Sequence, residues 1–288
     1  MAVTTGPILV DAPRTRERYG IFAVAEIDET VDPHAFNGGV QFITGNCGDA
    51  VGYAVACAES LATKTFTNEP AFETATPFVV YAGRLCGSVG FTEAESQRYT
   101  MAKLKANEQT VVEQIFSDQL FGQSPGLTNN PSVVTVAVAA GINFVEAIGR
   151  LEAAFYAAYG YAGTIHMPFR AGEHAASQHI LFADKDHPLP GNENVWRTAP
   201  GSVVSVGAYS GNSPVGVAPV AGHQWIYMTP PVKIWRQSDS QVFVSPIEGS
   251  LNRATNQETW LAERSYVMGF ECDQVFAIDA TLPTQTTT

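Results

Sequence analysis

The stretch TEAESQRYTMAKLKANEQTVVEQIFSDQL, residues 92–120, decides how this chain is read. It contains neither Pro nor Gly, so nothing inside it breaks a helix. Thr92 and Glu95 stand three apart, the spacing of a capping box, in which hydroxyl and carboxylate satisfy the amide donors of a helix start. Met101, Leu104, Val111, Ile115 and Phe116 then form an apolar face, which Asn107 and Glu108 interrupt. Gly122 and Pro125 end it. About 28 residues at 1.5 Å each predict a rod of roughly 42 Å, far beyond the usual helix of about a dozen residues.

Upstream of this rod the sequence changes character. Residues 1–40 carry Pro7, Pro13 and Pro33, a charged patch from Arg14 to Arg18, and little apolar patterning apart from Ile21 to Ala25. This composition predicts an irregular, extended arm that lies along a neighbour rather than packing a core of its own. Segment 41–80 has strand character at its ends, Val40 to Thr44 and Pro77 to Ala82, around an Ala/Thr/Glu-rich excursion. That framing predicts a projecting β-hairpin loop, and Lys64, the only lysine of the first hundred residues, falls within it.

Downstream, Ser132 to Val138 reads as a strand and Asn143 caps a second helix, with Glu146 three residues on and Gly160 at its end. A strand over 163–167, a short helix over 173–182 and a Pro/Gly/Asn-rich loop over 184–200 follow. Short strands are predicted at 203–208, 224–228, 232–236 and 241–246. The tail is longer. Between Trp260 and Asp273, Tyr266, Met268, Phe270 and Cys272 alternate with Ser265, Gly269, Glu271 and Asp273, which predicts a strand with one buried and one polar face. Val275 to Ile278 closes the pattern.

Composition limits the function. With 288 residues, 45% of them hydrophobic, the chain can bury a large core and is not a disordered protein. No run of about 18 apolar residues is present, and the first 20 residues lack the basic-then-apolar layout of a secretory signal. Sixteen Lys and Arg against 28 Asp and Glu leave a formal charge of −12, which argues against a protein built to neutralise phosphates. Charged residues make up only 15%, against an average of about 25%. This sparseness suits a chain with much of its surface turned toward other copies.

Catalytic patterns are missing from the sequence. Cys47, Cys57, Cys86 and Cys272 form no Cys-x-x-Cys pair, and His174 and His179 sit five apart on one short helix, pointing to different faces. Gly211-Asn-Ser213-Pro-Val-Gly216 misses the nucleophile-elbow spacing and inserts a proline. No cofactor or metal is expected, and the reading is of a non-enzyme. An α/β enzyme working through Cys86 or His174 is the weaker alternative.

The order of elements resembles the major capsid proteins of tailed double-stranded-DNA phages, the Hong Kong 97-type fold. The residues that carry the resemblance are Pro77 to Gly83, Glu108 to Phe116, and Asn256 to Asp279 with Ala262-Glu-Arg264 and Val267 to Cys272. The resemblance implies an α+β fold with an N-terminal arm (1–40), an extended hairpin loop (41–80), a peripheral domain with a long spine helix (81–131), an axial domain (132–250) and returning peripheral strands (251–288). It implies a subunit that self-assembles through pentamers and hexamers into an icosahedral head shell. Double-stranded DNA is enclosed rather than specifically bound, and portal, scaffold or decoration proteins are the further partners. The subunit is expected in the virion, assembled in the host cytoplasm. An encapsulin-type nanocompartment shell shares this fold and is the nearer rival. The resemblance also implies a candidate isopeptide cross-link, with Lys64 as nucleophile, Asn256 as acceptor and Glu263 as proton acceptor. Arg236, Glu263 and Arg264 are further expected in inter-subunit ion pairs.

Overall fold

The computed structural model describes residues 19–29, 34–43, 72–87, 92–137, 142–184, 195–271 and 274–283. The chain enters through helix α1 (Ile21–Val24), strand β1 (Glu26–Asp28), helix α2 (Ala35–Gly38) and strand β2 (Val40–Ile43). Strands β3 (Phe72–Ala75) and β4 (Pro77–Gly87) lead to the long helix α3 (Glu93–Asp118). Strand β5 (Val133–Thr135), helix α4 (Phe144–Tyr159), strand β6 (Thr164–Pro168) and helix α5 (Phe169–Ser177) follow. Strands β7 (Phe182–Asp184), β8 (Val195–Arg197), β9 (Val203–Gly207), β10 (His223–Thr229), β11 (Val232–Arg236) and β12 (Phe243–Pro246) come next. The chain returns through β13 (Gln257–Phe270) and β14 (Val275–Thr281). The class is α+β.

Both predicted caps form. The Thr92 hydroxyl accepts from the Glu95 amide at 3.3 Å while the Glu95 carboxylate accepts from the Thr92 amide at 2.8 Å, closing the box at the start of α3. At 26 residues, α3 is about 39 Å long. The Asn143 side chain accepts from the Glu146 amide at 2.9 Å, and Gly160, at φ 73°, takes the left-handed turn that ends α4.

Two sheets flank α3. In the first, β13 is the central strand: it pairs antiparallel with β4 over Gln257 to Val267 on one side, and with β12 and β11 on the other. Strand β1 adds parallel to β11. The second sheet has the order β5-β14-β10-β6-β9-β8-β7. Strands β2 and β3 form a separate antiparallel pair, with Val40 opposite Ala75 and Ile43 opposite Phe72. This pair frames the segment that contains Lys64, which itself lies outside the described residues.

Two apolar cores result. One joins Leu104, Val112, Ile115 and Phe116 of α3 to Phe78, Val80, Ala262, Tyr266 and Met268 of the first sheet, and to Tyr227 and Ala277 of the second. The other packs α4 and α5 on the opposite face of the second sheet, where Ile226, Met228, Phe276 and Ile278 meet Leu151, Phe155 and Ala175. Alternating residues of β10 and β14 therefore serve different cores, as strand geometry requires.

Several expectations are corrected. Residues 19–29 do not lack a packed core. Ile21, Val24 and Ala25 are buried in the chain's own interior. The end of β13 is not two-faced, since Tyr266 through Phe270 are all buried. The Phe42 ring lies against Gly269 and covers the face expected to be polar. The short helix α5 starts at Phe169, earlier than predicted, and β8 occupies part of the expected 184–200 loop.

Candidate assembly surfaces and the interior of the long helix

Glu108, which interrupts the apolar pattern of α3, faces inward. Its Oε2 accepts from Arg264 at 2.8 Å and from the Tyr266 hydroxyl at 2.8 Å, joining helix to returning strand. Arg264 also donates to Asp239, in the turn between β11 and β12, and Asp239 accepts from Lys105 of α3. Burial and the Glu108 charge push the Tyr266 phenol up, so it stays protonated and donates. The Lys105 hydrogen bond, opposed by burial and helped by Arg264, holds Asp239 below the usual carboxylate range.

This arrangement corrects the reading of Arg264 as an inter-subunit residue. On β13, Trp260, Ala262, Arg264 and Tyr266 share the inward face. The guanidinium is 1% exposed and is held by carboxylates of its own chain. Arg236 likewise pairs with Glu29 of its own chain and lies over the Phe22 ring.

The outward face of the same strand is different. Glu263 stands opposite Phe243 of β12 and Tyr81 of β4, so the three side chains share one face. Tyr81 is 70% exposed and Phe243 61%, with Val79, Leu85 and Ile247 exposed nearby along the same strands or just beyond them. A band of this kind is an apolar surface with a carboxylate at its centre. Asn256 is exposed and left-handed, at φ 50°, in a tight turn closed by backbone bonds between Asn252 and Gln257. Glu263 lies seven strand positions further on, about 23 Å away. A single chain does not bring Asn256 and Glu263 together.

Among the other exposed apolar side chains, two groups lie outside the long elements. Phe121, just past α3, is 86% exposed in a left-handed conformation, φ 60°, that a bulky residue rarely adopts. Val215, Val217 and Val220 are exposed in the loop between β9 and β10. Sequence patterning missed these because an exposed loop residue carries no periodicity.

No group of three or more His, Cys, Asp and Glu is placed among the described residues to hold a metal ion. His174 packs edge-on to Phe144. Among the described residues the buried histidine is His166, whose ring nitrogens meet the Tyr209 and Thr229 hydroxyls at 3.1 and 2.8 Å. Burial drives its pKa down to about 3, so it is neutral. No described helix is long and apolar enough to cross a membrane.

No family model matches the sequence, and no curated protein matches it. Solved structures do match. The capsid of a native GTA particle superposes with a TM-score of 0.56 at 10% identity, over 96% of this chain and 96% of that one. The capsid of Ralstonia phage GP4 gives 0.54 at 9% identity, over 99% and 97%. A structure from Mycobacterium phage Ogopogo gives 0.53 at 15% identity, over 96% and 97%. The chain shares the fold of these structures over 96–99% of its length.

Proposed function

We propose that the chain is a major capsid protein of a tailed double-stranded-DNA phage, of the Hong Kong 97 type, and that many copies build the icosahedral head shell. The observation that carries this reading is the superposition on capsid subunits over nearly the full length of both chains. Exposed apolar residues on separate elements support it, because a shell subunit needs contacts in several directions and a monomer needs none of them. The role is structural. Residues 1–40 act as the arm, with 19–29 seated on the chain's own sheets, and 41–80 as the extended loop; α3 with the first sheet, which takes β11, β12 and β13, acts as the peripheral domain, and the second sheet, which takes β14, as the axial domain around which pentamers and hexamers form. DNA is held by enclosure, and the formal charge of −12 keeps it from adsorbing to the wall. Location in the virion, assembly in the host cytoplasm, and portal, scaffold or decoration partners belong to the same proposal.

Sedimentation of the full chain, expressed alone or with its neighbouring genes, tests the reading. Fast-sedimenting particles that protect DNA from nuclease support a phage shell. Particles loaded with protein instead point to an encapsulin-type compartment, and a stable monomer overturns both.

The covalent cross-link follows as a dependent proposal. Lys64 of one copy attacks the Asn256 carboxamide of another, ammonia leaves, and a Glu263 carboxylate takes the lysine proton. The separation of Asn256 and Glu263 along β13 means that these two come from different copies. Ladders on a denaturing gel that vanish in Lys64→Arg support this step; a single monomer band from mature particles rejects it.

A further inference from the structure

Glu113, one turn and a half beyond Glu108 on α3, is fully buried and is not used by the ion network. Its Oε1 accepts the Ile21 amide at 2.8 Å and the Gln109 side-chain amide at 3.1 Å, and its Oε2 accepts the Ala208 amide at 2.7 Å. Each of the two backbone donors follows a glycine. A Cβ on Gly20 would stand 1.7 Å from the Gln109 side-chain nitrogen and 2.3 Å from Oε1, and one on Gly207 would stand 2.2 Å from Oε2. Two Gly-Xaa peptides thus close on one carboxylate, and a side chain on either glycine would have to displace it.

The donors belong to different parts of the molecule. Ala208 follows β9 of the second sheet. Ile21 opens α1 within the 19–29 segment, whose Tyr19 carbonyl accepts the Val206 amide at 2.7 Å and whose Tyr19 ring stacks on Trp196 at 4.1 Å. The same segment then crosses to the first sheet, where β1 pairs with β11 and Glu26 meets Lys233 at 2.9 Å. It is a strap across both sheets, with α3 beneath it. Neither its four-residue helix nor its three-residue strand is stable alone.

We propose that Glu113 is the fastener of this strap: it makes the seating of residues 19–29 and the ordering of the β9–β10 bend at Gly207-Ala208 a single event, and so sets the two sheets relative to each other. Loss of either peptide removes a backbone donor from the buried carboxylate, which disfavours half-fastened states. The inference concerns contacts within one chain and stands apart from the shell reading.

Hydrogen exchange of the full chain, read by mass spectrometry, tests it. Gly20→Ala presses on Gln109 and on Oε1 from the strap side and leaves the Ala208 peptide itself unaltered, yet exchange is expected to rise about tenfold or more in peptides covering both 19–29 and 203–210. Gly207→Ala is expected to do the same from the other side, with the β13 peptide 257–270 unchanged. Increased exchange confined to the mutated side overturns the proposal. Should the alanine variants not fold, Glu113→Gln decides: it keeps the side-chain shape but presents a donor to one amide, and deprotection of both peptides supports the fastener while deprotection of one rejects it.

Discussion

Arg264, midway along β13, donates to Glu108, midway along α3, at 2.8 Å, and both side chains are buried. The pair fixes the helix on the strand at a place where apolar packing alone would leave their register free to slide. Burying both charges is costly, and the Tyr266 hydroxyl and Asp239 offset part of that cost by adding hydrogen bonds.

Removing one partner is therefore expected to hurt more than removing both. Arg264→Met leaves the Glu108 carboxylate buried without its cation and should destabilise the chain by about 3–5 kcal/mol. The double variant Arg264→Met with Glu108→Leu should recover most of that loss. Urea unfolding of the three proteins measures both effects; a double variant as unstable as the single one contradicts this account.

Asp239 should contribute to acid sensitivity. Its folded pKa lies below its unfolded value of 3.8, first because of the Lys105 hydrogen bond. Its stabilisation is thus present above pH 3.8 and lost as pH falls through the lower folded value. Asp239→Asn should lower the melting temperature at neutral pH, and the gap from the wild type should narrow in strong acid.

His166 gives a second, separate pH window. The folded pKa is about 3 against an ordinary value of 6.5, so between them the unfolded chain binds a proton that the folded chain refuses. Its contribution is complete above pH 6.5 and declines on acidification, by up to about 1.4 kcal/mol per pH unit. His166→Gln should flatten the stability profile between pH 6 and 4. An unchanged slope would show that another group is responsible.

Phe121 separates folding from assembly. The ring is exposed and leaves the core untouched, so Phe121→Ser should change unfolding stability by no more than about 0.5 kcal/mol. It should nevertheless reduce particle yield, visible as a shift from fast-sedimenting to slow material. Full yield with an altered melting curve would reverse that assignment.

Local chemistry makes α3 and α4 legible in the amino-acid sequence, because Thr92, Glu95, Asn143 and Glu146 act within one helical turn. The partners of Glu108 and Glu113 are not legible there, since Arg264, Tyr266, Ile21 and Ala208 lie 92 to 158 positions away. Glu108 reads as a flaw in the apolar face, and nothing in the local pattern marks Glu113 as interior. Both are buried because distant polar groups converge on them. The same holds for residues 19–29, too short to show periodicity and ordered only by what they strap together. For Arg264 and Arg236, charge alone pointed outward, and strand alternation with nearby carboxylates turned them to their own chain.

Electron cryomicroscopy of particles formed by the full chain is the most direct measurement of what it is for. Closed icosahedral shells are expected, with five copies around each vertex, six around each remaining lattice point, and Phe121, Tyr81 and Phe243 covered by neighbours. Dispersed single chains at high protein concentration, with those side chains still in water, would contradict it.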